Sequence, residues 1–361
     1  MRIPGGFFCP GNMGVMDSLQ SPRNSPTVHD IIEAKSENIM KRIGVLTSGG
    51  DAPGMNACVR AVVRYGVSRE SEVVGIRRGY HGILEKDFTK LGSRSVANII
   101  HRGGTILETA RCEEMKTTEG IKKANEILQE ECIEGLITIG GDGTFRGAVA
   151  LAEAGNIKVI GVPGTIDNDV YGTDYAIGFD TAINTALDAI DKIRDTAGSL
   201  QRPFFIEVMG RSRGFIALEV GIAGGAEEIL IPESETKIEQ LCLDIRRSFK
   251  RGKKSFIVIV SEGDEAGGAF SIAQQVWERL RLEYRICVLG HVQRGGSPTA
   301  RDRVLASKLG AAAVDALIKG MSGYMVGDLK GDIVFTPLRE TWEKKKELDN
   351  NLLQLGKILA E

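Results

Sequence analysis

Long apolar runs are missing from this sequence of 361 residues. None approaches the roughly 18 uninterrupted apolar residues that a membrane span needs, and the N-terminal residues lack the apolar stretch of a secretory signal. A charge excess is missing as well, because 46 Lys and Arg residues oppose 48 Asp and Glu residues. The formal net charge of −2 gives no reason to expect a polyanionic partner such as nucleic acid. We therefore expect a globular cytoplasmic protein without a membrane or nucleic-acid partner.

Cysteine and histidine are scarce and scattered. The six cysteines include no CxxC pair and none lies beside a pair of histidines, so neither a disulfide framework nor a zinc set is predicted. We interpret the cysteines as reduced packing residues. Of the four histidines, His81 and His101 flank glycines and are interpreted as turn or packing residues. Proline is also rare, at 10 residues, whereas 45 glycines cluster after apolar runs and indicate sites shaped by the backbone.

Short apolar runs alternate with amphipathic helical patterns from residue 42 onward, which is typical of parallel sheets with crossover helices. Strands are predicted at residues 43–46, 73–76, 136–139, 159–162, 204–208, 229–231 and 256–260. The glycine-rich turn at 172–178 is the predicted break between two α/β units. Residues 1–40 have no sustained apolar period, and we predict a disordered N-terminal extension there. Because Met40 directly precedes the first strand, we hypothesise that the domain begins at Met40.

Two glycine clusters each follow a predicted strand and open a predicted helix. The first is TSGGDAPGMN at residues 47–56, and the second is GGDGT at residues 140–144. Such turns point free backbone N–H groups outward, which suits phosphate. Met55 and Asn56 stand where a P-loop requires Lys and Ser or Thr, so the first cluster is not a Walker A motif. It is either an anion site or a plain strand-to-helix turn.

The second cluster carries a carboxylate among its glycines. Asp142 would stand beside bound phosphates as an oxygen ligand for Mg²⁺, usually through water. The alternative interpretation of Asp142 is a helix N-cap. The surrounding glycines favour the functional interpretation.

A third cluster, PGTIDND at residues 163–169, places Asp167 and Asp169 two residues apart after a predicted strand. In an extended segment these carboxylates share a face, and like charges so close raise one pKa unless a metal or an Arg offsets them. One carboxylate could then act as general base on a sugar hydroxyl. The alternative is an Asn- and Asp-rich surface turn.

A fourth group is basic and supplies candidate phosphate ligands: Arg111, Arg202, Arg211, Arg285, His291 and Arg294. Phosphate esters need fork-shaped or bidentate donors, although an isolated Arg is more often a solvated surface charge. The run LGHVQRGGSP at residues 289–298 couples a strand end to a glycine turn. That context favours a binding role for His291 and Arg294.

Taken together, these segments closely resemble the bacterial 6-phosphofructokinase family from residue 41 to roughly residue 330. GGDGT alone is also similar to a loop of NAD kinases and diacylglycerol kinases, but those families do not add PGTIDND, EVMGR at 207–211 and GHVQRGG in this order. The resemblance implies two Rossmann-like three-layer α/β/α domains with largely parallel sheets and an active site in the cleft between them. It also implies transfer of the γ-phosphoryl group of Mg-ATP to the 1-hydroxyl of fructose 6-phosphate.

The resemblance assigns the larger, ATP-binding domain to residues 41–178 and about 293–340. The smaller, fructose 6-phosphate domain takes residues 179–292 plus the C-terminal helix. Asp167 occupies the position of the catalytic base, and the other implied catalytic residues are Thr165, Asp169 and Arg211. The implied ATP-binding positions are Gly50, Arg111, Cys112, Gly141, Asp142, Gly143 and Thr144, with Asp142 as the magnesium ligand.

The implied sugar-phosphate positions are Thr165, Ile166, Asp167, Met209, Gly210, Arg211, Glu262, His291, Val292, Gln293 and Arg294. Arg202 and Arg285 match positions that family members donate from a neighbouring subunit, which implies a homotetramer with shared active sites. The implied effector-phosphate positions are Arg60, Arg64, Arg194, Glu227, Arg251 and Lys253. Ser93 and Ser255 replace a usual arginine and a common histidine there, so we expect weaker or altered control by ADP and phosphoenolpyruvate. A solvated helix face is the alternative for Arg60 and Arg64.

Two glycines favour ATP as the phosphoryl donor. Pyrophosphate-using relatives tend to carry Asp at the position of Gly143 and Lys at that of Gly164. A pyrophosphate-dependent phosphofructokinase is the first alternative. A catalytically silent sugar-phosphate or nucleotide sensor is the second, and the presence of Asp142, Asp167 and Asp169 argues against it.

Overall fold

The computed structural model describes residues 40–200 and 202–360. The predicted N-terminal extension, apart from its last residue Met40, therefore lies outside the described residues. Met40 itself is buried and leads directly into the first strand. Within the described ranges, no helix is both long and apolar enough to cross a membrane.

Among the described residues, eleven strands form two sheets. In chain order the strands are β1 (Arg42–Thr47), β2 (Glu72–Ile76), β3 (Phe88–Leu91), β4 (Gly135–Gly140), β5 (Lys158–Pro163), β6 (Pro203–Val208), β7 (Glu228–Leu230), β8 (Phe256–Ser261), β9 (Arg285–Val288), β10 (Tyr324–Leu329) and β11 (Asp332–Pro337). The larger sheet has the order β11-β10-β5-β4-β1-β2-β3, and the smaller sheet has the order β7-β8-β6-β9. Only the β2–β3 and β10–β11 pairs run antiparallel. The prediction of largely parallel sheets is confirmed.

Helices connect the strands and cover both sheets. They are α1 (Met55–Ser68), α2 (Gly79–Leu84), α3 (Thr118–Glu130), α4 (Asp142–Ala154), α5 (Phe179–Leu200), α6 (Phe215–Ala223), α7 (Ile238–Lys250), α8 (Gly268–Leu280), α9 (Ala300–Ile318), α10 (Glu340–Glu343) and α11 (Asn350–Ala360). Two short 3₁₀ turns lie at Glu114–Lys116 and Gly290–Arg294.

Alternating side chains of each parallel sheet pack into separate apolar layers. Val45 of β1 belongs to a core shared with α1 and α9, whereas Leu46 packs in a core shared with α3 and α4. In the smaller sheet, Ile206 of β6 faces α5 and α6, and Phe205 faces α7 and α8. One continuous core runs from the larger sheet through α5 to the smaller sheet. Each sheet is thus the middle layer of an α/β/α sandwich.

All seven predicted strands are present. Strand β7 is shifted by one residue toward the N-terminus, and each of the other six extends one residue beyond its predicted limit at one or both ends. The prediction missed β3, β9, β10 and β11. Three of these lie at sheet edges, where side chains are exposed and no continuous apolar run is needed. Strands of the larger sheet come from residues 42–163 and 324–337, and those of the smaller sheet come from residues 203–288. The predicted domain limits agree with this division but stay a prediction.

Candidate active site

The candidate site is built from loops at the carboxyl ends of parallel strands, the usual position of ligand sites in open α/β sheets. The larger sheet contributes the loops after β1, β4 and β5, which hold three of the predicted clusters. The smaller sheet contributes the loops after β6 and β8, which begin with Met209 and Glu262. An ion pair from Arg211 to Asp167 joins the two sets of loops.

The first two glycine clusters form one continuous backbone surface. The Thr144 hydroxyl donates a hydrogen bond to the Ser48 carbonyl oxygen at 3.0 Å, and the Ser48 amide donates to the Ile139 carbonyl at the end of β4 at 3.0 Å. Gly49 and Gly54 have φ angles of 85° and 108°, which side chains rarely tolerate. Helix α1 begins directly after Gly54, as predicted for a strand-to-helix turn.

Asp142 is the first residue of α4, and the N-cap residue is Gly141. The N-cap interpretation of Asp142 is therefore wrong. Its Oδ1 atom is buried and has no hydrogen-bond partner in the described part of the chain. Burial raises the pKa of the Asp142 carboxyl to about 6, the charge of Asp169 acts in the same direction, and Arg146 and Arg211 oppose the shift.

Asp167 is fully buried, with no exposed surface. Its Oδ2 atom accepts an ion-pair contact from Arg211 Nε at 3.2 Å, while Oδ1 has no partner among the described residues. Burial raises the pKa of the Asp167 carboxyl to about 6, assisted by the Asp169 charge and opposed by Arg211 and Arg294. Arg211 thus holds the carboxyl in place through Oδ2, and Oδ1 is available to accept a hydrogen bond or a proton.

The segment around Asp167 is a turn, so the expectation of an extended segment is wrong. The expectation that the neighbouring carboxylate of Asp169 raises the pKa of Asp167 is confirmed. Asn168 has a φ of 53°, a left-handed conformation that Asn tolerates better than most residues. Its amide donates to the Asp174 carbonyl at 3.1 Å, and its Oδ1 accepts from the Ala176 amide at 2.9 Å. Asn168 is only 4% exposed, which excludes the surface-turn alternative. The Thr165 hydroxyl accepts from the Asp167 amide at 3.3 Å, and neighbouring Ile166 is buried.

The loop that carries Arg211 is held by Glu262. Glu262 Oε1 accepts hydrogen bonds from the Gly210 amide at 3.2 Å and the Arg211 amide at 2.7 Å. Gly210 and Arg211 both have positive φ angles, 146° and 54°, while Met209 is buried beneath them. Glu262 therefore fixes the backbone from which Arg211 reaches Asp167.

Arg294 reaches the first glycine cluster. Its Nη1 donates to the Asp51 carbonyl at 3.1 Å, and its guanidinium lies so close to the Gly50 Cα that a Cβ there would collide with it. Within the same 3₁₀ turn, Gln293 is buried and its Nε2 donates to the Gly290 carbonyl at 3.1 Å. His291 and Val292 are exposed. The turn thus brings Arg294 to the loop after β1, while Gln293 holds the turn itself together.

Several predicted residues lie away from this centre in a single chain. Arg202 precedes β6 and pairs with Glu283 at 2.7 Å, and Arg285 is the first residue of β9. Both are at the amino ends of strands whose carboxyl ends lead into the site. At about 3.3 Å per residue, the carboxyl end is about 20 Å from Arg202 along β6 and about 10 Å from Arg285 along β9. Arg111 is exposed and forms no ion pair with any described residue, and its neighbour Cys112 is half-buried.

The implied effector residues divide into two groups. Lys253 lies 3.8 Å from Glu227 and donates to the Ala360 carbonyl of α11 at 3.0 Å. Glu227 and Arg251 line a cavity of about 650 Å³ closed on one side by α11. Arg194 donates to the Gly225 carbonyl at 2.7 Å. The other group, Arg60 and Arg64, lies on α1 and has no hydrogen bond to the first group among the described residues.

Sequence reasoning missed Lys346, which lies between α10 and α11. Its ammonium donates to the Asp174 carbonyl at 2.7 Å, the acceptor that Asn168 also uses. Burial lowers the pKa of Lys346 to about 8, against the opposing charges of Asp174 and Asp169. Its carbonyl accepts a hydrogen bond from Arg213, in the loop after β6. The run KKKE at residues 344–347 is typical of a solvated surface segment. No signal in the sequence therefore indicates that Lys346 links the loop after β5 to the loop after β6.

Comparison with known proteins agrees with this geometry. The family model described as phosphofructokinase matches residues 42–317. The ATP-dependent 6-phosphofructokinase 1 of Thermus thermophilus is 60% identical over 321 residues, covering 89% of this chain and 100% of that protein. The ATP-dependent 6-phosphofructokinase of Shouchella clausii is 53% identical over the same shares of both chains.

Solved structures of phosphofructokinases share the fold of this chain. Phosphofructokinase from Saccharomyces cerevisiae superposes with a TM-score of 0.79 at 34% identity, covering 89% of this chain and 48% of that longer chain. A pyrophosphate-dependent phosphofructokinase from Marinobacter aquaeolei has a TM-score of 0.77 at 24% identity, with 86% of each chain covered, and shares the fold. The chain belongs to the phosphofructokinase family.

Proposed function

We propose that the chain is an ATP-dependent 6-phosphofructokinase that transfers the γ-phosphoryl group of ATP to the 1-hydroxyl of fructose 6-phosphate. The products are fructose 1,6-bisphosphate and ADP, which is the committed step of glycolysis. The observation that carries the proposal is Asp167, a buried carboxylate with one oxygen bound by Arg211 and the other without a partner. The names of the bacterial relatives support the same reaction.

Asp167 acts as the general base in this proposal. The free Oδ1 takes the proton of the sugar hydroxyl, while Arg211 holds Oδ2 and keeps the carboxyl oriented. Phosphoryl transfer needs positioning and charge neutralisation more than covalent help. Backbone amides at the start of α4, the Thr165 hydroxyl and Arg294 supply donors around the reacting groups.

The donor set fits Mg²⁺. Asp142 Oδ1 is a buried carboxylate oxygen without a partner in the described chain, and hard oxygen ligands are what Mg²⁺ prefers. Asp142 would hold the ion and Asp169 would support it from the neighbouring turn. When bound, Mg²⁺ neutralises charge on the transferred phosphoryl group.

Gly143 and Gly164, the two positions that distinguish ATP from pyrophosphate as the phosphoryl donor, have different surroundings. A Cβ on Gly143 would meet nothing within 4 Å, so any side chain there extends into the space beside Asp142. A Cβ on Gly164 would lie 3.1 Å from Ile139 and 3.2 Å from Met55, so a larger residue requires these side chains to move. The open space at Gly143 supports a bulky nucleotide donor over pyrophosphate.

We further propose a homotetramer in which Arg202 and Arg285 complete the sugar-phosphate site of a neighbouring subunit. Support comes from their position at the strand ends opposite to Asp167 in the same chain. A cytoplasmic location accompanies this function as a proposal.

A coupled assay with fructose 6-phosphate and Mg²⁺, comparing ATP with pyrophosphate at equal concentrations, tests the proposal. Turnover with ATP alone is the expected result. Turnover with pyrophosphate alone would overturn the donor, and no turnover with either would favour the silent sensor.

The variant Gly143→Asp tests the donor argument directly. Its carboxylate would project beside the phosphates, so we expect kcat/KM for ATP to fall by about 10-fold or more, since one desolvated like-charge contact of roughly 1.4 kcal/mol suffices. Gly143→Ala is the matched control and should change this value little, because its Cβ meets no atom. Equal losses in both variants would contradict a charge effect.

A further inference from the structure

His81, Cys112 and Glu114 bring three different ligand atoms together beside the candidate nucleotide site. One ligand atom from each residue, an imidazole nitrogen, the thiol sulfur and a carboxylate oxygen, lies within 4.8 Å of the other two. His81 belongs to α2, whereas Cys112 precedes the 3₁₀ turn that Glu114 opens. The Cys112 thiol donates to Glu114 Oε2 at 3.5 Å. The fold thus brings His81 to Cys112 and Glu114, which lie in a later segment of the chain. Cys112 also packs against the apolar core that contains Leu46, as the sequence predicts.

The surroundings of these three residues suit a cation with an accessible coordination position. His81 and Cys112 are half-buried, while Glu114 is exposed and leaves one side of the cluster open. Nitrogen, sulfur and oxygen ligands are the set that Zn²⁺ accepts in tetrahedral sites, with a water molecule at an open fourth position. Imidazole and thiolate are poor ligands for Mg²⁺, so this cluster differs in chemistry from the Mg²⁺ position proposed at Asp142.

We propose that His81, Cys112 and Glu114 form a Zn²⁺ site, and that a bound Zn²⁺ weakens the binding of ATP. On binding, a Zn–S bond forms as the Cys112 S–H bond breaks, and the proton leaves to solvent. His81 contributes the lone pair of a neutral imidazole nitrogen, and Glu114 contributes a carboxylate oxygen. No electron is transferred.

The neighbours of the cluster explain the effect on ATP, a step that rests on the proposed function. Tyr80 precedes His81, and its hydroxyl donates to the carbonyl of Thr144 while its ring packs against Gly147 of α4. Cys112 itself matches an implied ATP-binding position. A metal that engages the Cys112 sulfur and fixes α2 therefore competes with the arrangement that the nucleotide needs, and coupling of this kind is reciprocal.

Direct metal binding is the first test, and it does not depend on turnover. The protein is prepared with Cys9→Ser and Cys132→Ser, which remove the exposed thiol of Cys132 and that of Cys9, outside the described residues. Co²⁺ serves as a spectroscopic probe, and Zn²⁺ is then added to displace it. We expect one equivalent of Co²⁺ to bind with thiolate-to-cobalt charge-transfer absorption in the near ultraviolet.

Three single variants in that background decide whether these residues are the ligands. Cys112→Ser should abolish the charge-transfer band, and His81→Gln and Glu114→Gln should each weaken Zn²⁺ binding by about 10-fold or more. Unchanged circular dichroism and melting temperature show that the variants fold, and Glu114→Gln alters an exposed side chain that is least apt to disturb folding. A band that persists in Cys112→Ser, or Zn²⁺ affinity unchanged in both other variants, would overturn the site.

The effect on the nucleotide is measured as the dissociation constant of a Mg²⁺-saturated, non-hydrolysable ATP analogue with and without one equivalent of Zn²⁺. We expect about 10-fold weaker binding in the presence of Zn²⁺, within the usual range of coupling between sites. His81→Gln is the control for chelation of Zn²⁺ by the nucleotide and should show no such change. Equal dissociation constants with and without Zn²⁺ would overturn the antagonism. Loss of the proposed kinase activity alone would leave the metal titration intact, so the two failures are distinguishable.

Discussion

Asp167 combines complete burial with a carboxylate oxygen that no described residue satisfies. Such a group is costly to keep in a folded protein, because a buried carboxylate without a partner loses its hydration. Arg211 offsets part of this cost at the other oxygen. The remaining imbalance is what a general base requires, since the free oxygen becomes satisfied when it accepts the substrate proton.

Replacing Asp167 by Asn tests this role at the scale of one atom. Asp167→Asn keeps the shape of the side chain and removes the base, so we expect kcat to fall by roughly 10²- to 10⁴-fold. The dissociation constants of both substrates should change by only a few fold, measured by equilibrium titration. The exposed Asp195→Asn on α5 is the matched control and should retain full activity. Near-normal turnover of Asp167→Asn would refute the assignment.

The pH dependence follows from the raised pKa values, which are about 6 for both Asp142 and Asp167. A base must be deprotonated to act, so kcat should decline as the pH falls through about 6. Asp169 raises both pKa values and Arg211 lowers both. We therefore expect Asp169→Asn to move the acidic limb of the kcat profile to lower pH and Arg211→Met to move it to higher pH. If the acidic limb moved in the same direction in both variants, this account would be contradicted.

At the scale of elements, the loops after β1 and β4 depend on each other. The Thr144 hydroxyl, buried at 2% exposure, is the side-chain link between them through the Ser48 carbonyl. The Ser48 amide adds a backbone hydrogen bond to the Ile139 carbonyl, and Arg294 holds the first loop at the Asp51 carbonyl. The Thr144 hydrogen bond therefore acts with these contacts to hold the combined backbone surface.

Thr144→Val removes that hydrogen bond and keeps the side-chain volume. We expect the free energy of unfolding to fall by about 1–3 kcal/mol, because the Ser48 carbonyl is left without this donor. The affinity for ATP should fall as well, measured by titration calorimetry. Thr144→Ser should restore both quantities, and Thr89→Val on the exposed face of β3 should change neither. Loss of stability with unchanged ATP affinity would contradict the proposed contribution of this link to the nucleotide site.

A comparison of the predicted with the observed strands and turns explains what the sequence could predict. Six of the seven predicted strands were predictable because they lie inside a sheet and are buried on both faces, which requires apolar runs. The seventh, β7, lies at an edge and was found from its short run of Ile and Leu. Strand β3 was not, since its two middle residues are exposed at an edge and carry no apolar signal. The clusters were placed correctly at strand ends, and a turn at residues 163–169 was foreseen only as a surface alternative. The sequence did not show that Asn168 is buried, because its left-handed conformation is held by a hydrogen bond donated to the Asp174 carbonyl and one accepted from the Ala176 amide.

At the scale of the whole molecule, the proposed homotetramer would complete the site that one chain provides. The carboxylates Asp142 and Asp167 lie together within one chain, whereas Arg285 lies at the far end of the smaller sheet. In the proposed homotetramer, the amino ends of one smaller sheet would meet the carboxyl ends of another. This placement would bring Arg285 of one chain to the sugar phosphate bound by its neighbour. Symmetric oligomers make this exchange reciprocal, because each subunit gives what it receives.

Mixed oligomers test this arrangement. Asp167→Asn and Arg285→Ala chains should each have very low activity at limiting fructose 6-phosphate, the first in kcat and the second in KM. When the two chains are co-expressed, about one quarter of the sites in randomly mixed oligomers should combine an intact Asp167 with an intact Arg285, and activity should rise accordingly. The matched control mixes Asp167→Asn with Asp142→Asn, two residues that the same chain supplies, and should give no recovery. Recovery in both mixtures, or in neither, would contradict shared sites, because only residues contributed by different chains can complement each other.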